Sequence, residues 1–467
     1  MNYNNILNKI KTVLQDKYYG KIYLVGGFVR DEIMGNHTSD LDFMVIGSSS
    51  EVTDTLYNAG ILDYSPVSYN QYNTSLVIID GVKMEFTGAR KEVYDDNSRK
   101  PQTETATLEE DVYRRDFTIN TLAKDIFTDK IIDVTGRGKN DIKNKIIDTP
   151  LDPKITFYED PLRIMRAVRF AGRFDFKLAE RVKISIKENV DRLDIVSSER
   201  IRDELVKIVL NENAVFSLRL MEEVGILKKI LPELALCVGV TQNKYHIYDV
   251  WEHTLKVLEN ITLKDCSSVE NGFFVSHEHL YYLLRFAALF HDIGKPESKF
   301  IDENGNARFF HHQNIGIDIT IDILNRLKFS NADTNDILTL VKEHMRLGMY
   351  NSTWGNPSIR RLIRDLGKYL EPLFILTKAD ILASNPEYHT LDGLAELKTR
   401  IEQNNVNTLR YSDLSPLNGK EIMEILNARG KIVGKAKRYL ERCIIEEKLE
   451  FDDKNTAKKL LLEEFKL

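Results

Sequence analysis

The chain has 467 residues, room for several domains, and its 42% apolar and 29% charged content is that of an ordinary globular protein rather than a disordered or fibrous one. No run reaches the ~18 apolar residues of a membrane span, and the opening MNYNNILNKIKTVLQDKYYG lacks a signal-peptide core, so the expected location is the cytoplasm. Three scattered cysteines, Cys237, Cys266 and Cys443, argue against a disulfide framework or zinc ribbon, and 65 basic against 71 acidic residues (net −6) confine any nucleic-acid surface to local clusters.

In chain order, residues 1–150 alternate strand-like and helix-like segments, with strands expected at 21–25, 41–46, 76–80, 82–87 and 131–134. Residues 22–25 read as a buried strand. The Gly26-Gly27 pair that follows lets the backbone approach a triphosphate before a short helix carrying Arg30, which is placed to pair with phosphate. Asp40 and Asp42 then enter an apolar strand. Residues two apart on a strand project from one face, so this pair can ligate the same metal ions, whereas on a helix they would diverge by roughly 200°. Glu85 alternates with Val82, Met84 and Phe86 on a second strand and is the candidate third carboxylate.

The run GGFVRDEIMG followed by DLD resembles the signature of the nucleotidyltransferase superfamily, in its branch of transfer RNA CCA-adding enzymes and bacterial poly(A) polymerases. The resemblance implies an α/β catalytic head with an antiparallel-type sheet, then all-α neck, HD and tail domains, in a multidomain α+β chain. It also implies magnesium ions held by Asp40 and Asp42, and tRNA, CTP and ATP as partners. LEEDVYRRDFTINTLA (108–123) matches the family's next motif, in which Arg115 contacts the triphosphate and Asp116 and Asn120 organise the ribose side. The segment from Asp133 resembles the hinge between head and neck but departs from it at Val134 and Asp148. Residues 88–107, between these motifs, are expected to be mobile.

From Phe157 the pattern is helical, with helices predicted over 158–174, 179–188, 198–210 and 214–224. FYEDPLRIMRAVRF (157–170) resembles the family's base-selecting motif. Asp160 and Arg163 are expected on one helix face, offering an acceptor to the exocyclic amine of cytosine or adenine beside a donor to the ring. Uracil and guanine would set a carbonyl against the carboxylate, a mismatch of ~1–3 kcal/mol. Arg163, Arg166, Arg169 and Arg173 share one helix face by spacing, and the resemblance implies that Arg166 and Arg169 contact the nucleotide, beside Gly27 at the Gly-Gly turn. IVSSERIRDELVKIVL (195–210) matches the neck motif, where Glu199 and Arg200 are expected to be structural supports.

A histidine-rich helical unit follows. DVWEHTL, LFHDIGK, FFHHQNIG, VKEHMR and KADIL fall in the order of the HD superfamily of metal-dependent phosphohydrolases. The ligand candidates for a divalent ion of open identity are His253, His291, Asp292 and Asp380, with His312 and His344 flanking the metal or binding phosphate. Residues 263–278 read as a loop. The segment from Ser412 resembles the family's tail, with Gly419, Gly430 and Gly434 between helices and a role in contacting tRNA.

The expected domains are therefore a head (1–150), neck (151–238), HD domain (245–390) and tail (411–467). The expected function is template-independent addition or repair of the tRNA 3′ CCA end. Addition of A alone, poly(A) synthesis, and HD phosphohydrolysis of RNA ends or nucleotides are the alternatives; against poly(A) synthesis, the tail is mixed in charge rather than extended and basic.

Overall fold

The computed structural model describes residues 3–36, 41–95, 98–269, 274–403, 415–450 and 452–465; Asp40 lies outside them. The chain divides into two compact units, Met1–Pro232 and Glu233–Leu467.

The first unit contains helix α1 (Tyr3–Tyr18) and strands β1 (Ile22–Val25), β2 (Leu41–Val45), β3 (Val67–Tyr69), β4 (Thr74–Ile79), β5 (Val82–Gly88), β6 (Arg90–Asp95), β7 (Ser98–Thr105), β8 (Leu122–Asp125) and β9 (Ile131–Asp133). Seven of these form one sheet in the order β3-β4-β5-β2-β1-β8-β9. Neighbours are antiparallel except β2 and β5, which run parallel. The exception to the expected antiparallel sheet follows from helix α3 (Ser49–Asn58), which carries the chain back over the sheet so that the β3-β4-β5 meander starts in the direction of β2. Strands β6 and β7 pair as a separate antiparallel ribbon, where the sequence pointed to a mobile segment.

Period-two alternation gives β2 and β5 two unlike faces. Phe43 and Phe86, register partners, stack in the core with ring centroids 4.4 Å apart. Asp42 and Glu85, also register partners, are exposed on the other face. At the end of β1, Gly26 adopts φ 65°, ψ −127°, which only glycine reaches without strain, and α2 (Gly27–Met34) begins at once. Helix α4 (Leu108–Tyr113) starts with a capping box between Thr107 and Glu110.

Beyond α5 (Gly138–Asn144) the unit is helical: α6 (Pro153–Glu159), α7 (Leu162–Phe174), α8 (Glu180–Asn189), α9 (Ser198–Val209) and α10 (Ala214–Glu223). The single helix expected over 158–174 is two helices. Pro161 drives the preceding residue out of the α region, and Asp160 is extended at φ −135°, ψ 98°, ending α6. On α7, Ile164, Met165 and Val168 are fully buried, at ~1.5–3 kcal/mol each, and the arginines occupy the opposite side.

In the second unit, the helices Val250–Asn260, His277–Phe290, His312–Arg326, Asn331–Glu343 and Leu370–Ala383 pack together beside a two-stranded ribbon, Lys299–Ile301 with Ala307–Phe309. Within the segment read as a loop, Leu263–Ser267 is a short helix, nucleated by a capping box between Thr262 and Asp265. The helices Gly419–Leu426, Lys431–Ile445 and Lys454–Glu464 share a core of Ile422, Leu426, Ala436, Leu440 and Leu461. Gly430, at φ 68°, precedes a helix as expected, but Gly434 lies inside it.

Candidate active site and candidate metal centre

A cleft of about 720 Å³ opens on the exposed face of β2 and β5. Its walls bring together Gly27, Arg30, Asp42, Glu85, Arg115, Asp116, Asn120, Asp160, Arg163, Arg166 and Arg169, residues far apart in the sequence. The donors on β2 and β5 suit a divalent cation: two carboxylates on adjacent strands, on one face, both reaching the cleft.

Opposite them stands a bank of arginines anchored by carboxylates. Arg30 Nε donates to Asp31 Oδ1 at 2.8 Å and its Nη1 to Asn120 Oδ1 at 2.6 Å. Asn120 Nδ2 donates to Asp116 Oδ1 at 2.9 Å, and Asp116 Oδ2 accepts from Arg166 Nε at 2.9 Å and Nη2 at 2.5 Å. A continuous polar chain thus joins α2 to α7. Asp111, almost fully buried, takes Arg114 on one oxygen and Arg115 on the other, at 2.6 and 2.9 Å. Fixing each guanidinium along one edge removes much of the entropy a phosphate contact would otherwise cost.

The phenyl rings of α7 hold the same cations from the side. The Arg169 guanidinium carbon lies 4.2 Å from the Phe170 centroid and that of Arg166 5.3 Å, while Arg30 stands 4.5 Å over Phe174.

Burial pulls the Asp116 carboxyl upward, but Arg166 and the Asn120 hydrogen bond outweigh it, and the group titrates below the ordinary carboxylate range. A depressed folded value contributes stability that is complete above the unfolded pKa of ~3.9 and is lost as pH falls through the folded one. Asp116→Asn is therefore expected to flatten the acid limb of stability below about pH 4, read by urea melts in acidic buffers. An acid limb as steep as the wild type's would mean that another group carries it.

Asp160 and Arg163, the pair expected to read the base, are not arranged as spacing implied. Asp160 stands in the break before Pro161, off the face of α7. Arg163, buried, donates to the carbonyls of Thr156 (3.2 Å) and Arg114 (2.7 Å) and pairs with Glu159 at 3.3 Å. Asp160 instead meets Arg200 of α9, whose Nη2 donates to Oδ2 at 3.1 Å. Arg200, expected as a neck support, also lines the cleft, and Glu199 is exposed. Glu204, also on α9, places Oε2 2.6 Å from Arg169 Nε, an ion-pair contact without hydrogen-bond alignment. Nothing in the spacing of 160, 169, 200 and 204 signals these pairings, which exist only after α9 packs on α7.

In the second unit, His253, His291, Asp292, His312, His344 and Asp380 converge. Each imidazole Nδ1 faces a backbone carbonyl: Ala383 for His253 (3.4 Å), Ala288 for His291 (2.8 Å), Phe309 for His312 (2.9 Å) and Val341 for His344 (2.6 Å). A carbonyl only accepts, so Nδ1 carries the proton and Nε2 presents its lone pair inward. Two ligand triads result, His253-His291-Asp292 and Asp292-His312-His344, sharing one carboxylate. Asp292 Oδ2 lies 3.1 Å from His291 and 3.5 Å from His253, and Oδ1 3.3 Å from His312. His312 and His344 thus stand with Asp292 as a second candidate ligand group, whereas the sequence pointed to their flanking the metal or binding phosphate. Asp380 Oδ1 sits 3.1 Å from His253 Nε2.

Lys295 Nζ lies 2.6 Å from Asp292. Burial raises the Asp292 carboxyl, but His291 and Lys295 outweigh it and hold it well below its ordinary range. Burial, with His291 beside it, lowers His344 to about 4, which keeps its Nε2 unprotonated at neutral pH. His246, edge-on to His253 at 4.8 Å, borders the adjoining cavity of about 570 Å³ and was missed in the sequence. Gly294 lies directly against the helix of His312: a Cβ there would overlap the backbone of His312 and Gly316.

Three family models match successive parts of the chain. Residues 22–148 match the Poly A polymerase head domain, residues 175–237 the probable RNA and SrmB-binding site of polymerase A, and residues 246–385 the HD domain. The chain is 30% identical to an A-adding tRNA nucleotidyltransferase of Deinococcus radiodurans over 71% of its own length and 74% of that protein's. It is 28% identical to a CC-adding tRNA nucleotidyltransferase of Thermus thermophilus over 89% and 88%. With the Schizosaccharomyces pombe tRNA nucleotidyltransferase cca2 it shares 34% identity, but spans only 50% of that relative. A CCA-adding enzyme of Bacillus stearothermophilus, solved with CTP, has the same fold, with a TM-score of 0.68, 23% identity, and coverage of 99% and 97%. No helix among the described residues is long and apolar enough to cross a membrane. The chain belongs to the family of tRNA nucleotidyltransferases and poly(A) polymerases, in the form that carries an HD domain.

Proposed function

We propose that this protein builds or repairs the 3′ CCA end of tRNA in the cytoplasm, without a nucleic-acid template, from CTP and ATP. The observation that carries the reading is the cleft: Asp42 and Glu85 side by side on β2 and β5, facing arginines that buried carboxylates hold in place. The tRNA 3′ hydroxyl attacks the α-phosphate in line, its proton is lost, and pyrophosphate leaves. Magnesium held by Asp42, with Asp40 and Glu85, would supply activation of the hydroxyl and charge stabilisation on the leaving group. Arg30, Arg115, Arg166 and Arg169 position the triphosphate, with Asn120 bracing Arg30 and Asp116 bracing Arg166, and Asp160 with Arg163 reads the base. In this division of labour residues 1–150 carry the chemistry and 151–238 select the base, while 245–390 hold the HD metals and 411–467 contact tRNA.

The test is extension of a tRNA transcript lacking CCA, with magnesium and CTP, ATP or both, resolved to single nucleotides. Two C residues with CTP alone, and a stop after one A with both, support the assignment. A second reading, that the enzyme adds only part of CCA, is favoured by the A-adding and CC-adding relatives matched over most of the chain. Extension by A only, or by CC only, selects it. Asp160→Ala is expected to retain transfer while blurring base choice; unaltered selectivity would remove Asp160 from base reading.

The HD unit adds a separate proposal. Two inward-facing triads on one shared carboxylate suit a pair of divalent ions and hydrolysis of a phosphate ester on a nucleotide or RNA end.

A further inference from the structure

We infer that helix α9 tunes the transfer site through two residues one turn apart, Arg200 setting the base-reading Asp160 and Glu204 setting Arg169, so that selectivity and triphosphate binding are governed separately. This rests on the reading of the cleft given above.

Asp160 lies between helices, so no helical packing fixes its side chain. Its Oδ1 accepts the Leu162 N–H at 3.1 Å and its Oδ2 the Arg200 Nη2 at 3.1 Å. Together these bonds define the carboxylate plane. Without Arg200 one local bond remains and the acceptor can swing. Discrimination between an amine and a carbonyl on the base depends on the direction in which the carboxylate points, so a swinging acceptor discriminates less.

Glu204, four residues on and therefore on the same face of α9, is buried, with Oε2 2.6 Å from Arg169 and Oε1 3.3 Å from Lys207. Arg169 is thus fixed by Glu204 at its edge and by Phe170 at its face. The triphosphate is common to all four nucleotides. Loosening Arg169 should therefore weaken binding of each alike and leave the choice of base intact.

Arg200 and Glu204 are positioning residues on this account, and their substitutions differ in kind. The experiment is steady-state addition by the full-length chain to a truncated tRNA, comparing the accepted nucleotide with its rejected partner, CTP with UTP or ATP with GTP. The wild type must first show a preference; if it adds neither C nor A, the transfer reading itself fails. Given that preference, Arg200→Ala is expected to lower the kcat/KM ratio of accepted to rejected nucleotide about tenfold, with Arg200→Lys recovering part of it. Glu204→Gln, which keeps the side-chain volume, is expected to raise KM for both nucleotides about tenfold with their ratio unaltered. An unchanged ratio in folded Arg200→Ala, or a ratio that shifts in Glu204→Gln as much as in Arg200→Ala, overturns the inference. If Arg200→Ala does not fold, Arg200→Lys decides: a ratio equal to the wild type's with unchanged KM overturns it, and a partial fall supports it.

Discussion

Asp42→Asn is expected to lower addition of C and A alike by at least ~10³-fold, because the carboxylate's share in stabilising the transferring phosphoryl group amounts to several kcal/mol. The substitution keeps the side-chain shape and removes the charge. Asp42 is exposed on its strand, so the fold should tolerate the change within about 0.5 kcal/mol. Single-turnover extension of a truncated tRNA at saturating nucleotide isolates the chemical step from binding. A loss of less than tenfold would mean that Asp42 is not a ligand in the reaction and that the cleft works through other groups. Glu85→Gln, on the neighbouring strand, should fall between Asp42→Asn and the wild type if Glu85 assists without being required.

The second large effect belongs to Asp292. This carboxylate faces both histidine pairs and Lys295, and almost none of it is exposed. Asp292→Asn leaves the Lys295 ammonium without its counter-charge in a buried position, at a cost of roughly 3–5 kcal/mol. It also removes the negative charge the two triads share and puts an amide NH2, which cannot ligate a metal, in place of one of the two oxygens that face the histidine pairs. Elemental analysis of chain loaded with a divalent metal and desalted should show loss of both ions in Asp292→Asn and of one in His344→Ala. Full occupancy in Asp292→Asn would refute the shared-carboxylate arrangement, and thermal unfolding supplies the independent stability readout.

Much of the head was legible because its signals are local. The apolar strand of residues 22–25 ending in two glycines, and the alternation around Glu85, each encode an element within a few residues, and the structure has them where period and turn chemistry put them. The break at Asp160 was also encoded, by Pro161, but the helical spacing on either side masked it. What could not be read was pairing across distance. Asp160 and Arg200 are 40 residues apart and meet because α9 packs on α7, and no periodicity reports that. The same holds for Glu204 with Arg169. In the HD unit, the order of the histidine motifs was visible. Their sorting into two pairs was not, since it depends on which imidazoles share each oxygen of Asp292.

The contact at Gly294 bears on how that second centre keeps its dimensions. Main chain lies directly on main chain there, with no side chain between the turn that bears Asp292 and the helix that begins at His312. The distance between that turn and the start of the His312 helix is therefore gauged by backbone thickness, which has no rotamers to choose among. Any side chain at position 294 would have to lift the turn off that helix, and would carry Asp292 away from His312 with it.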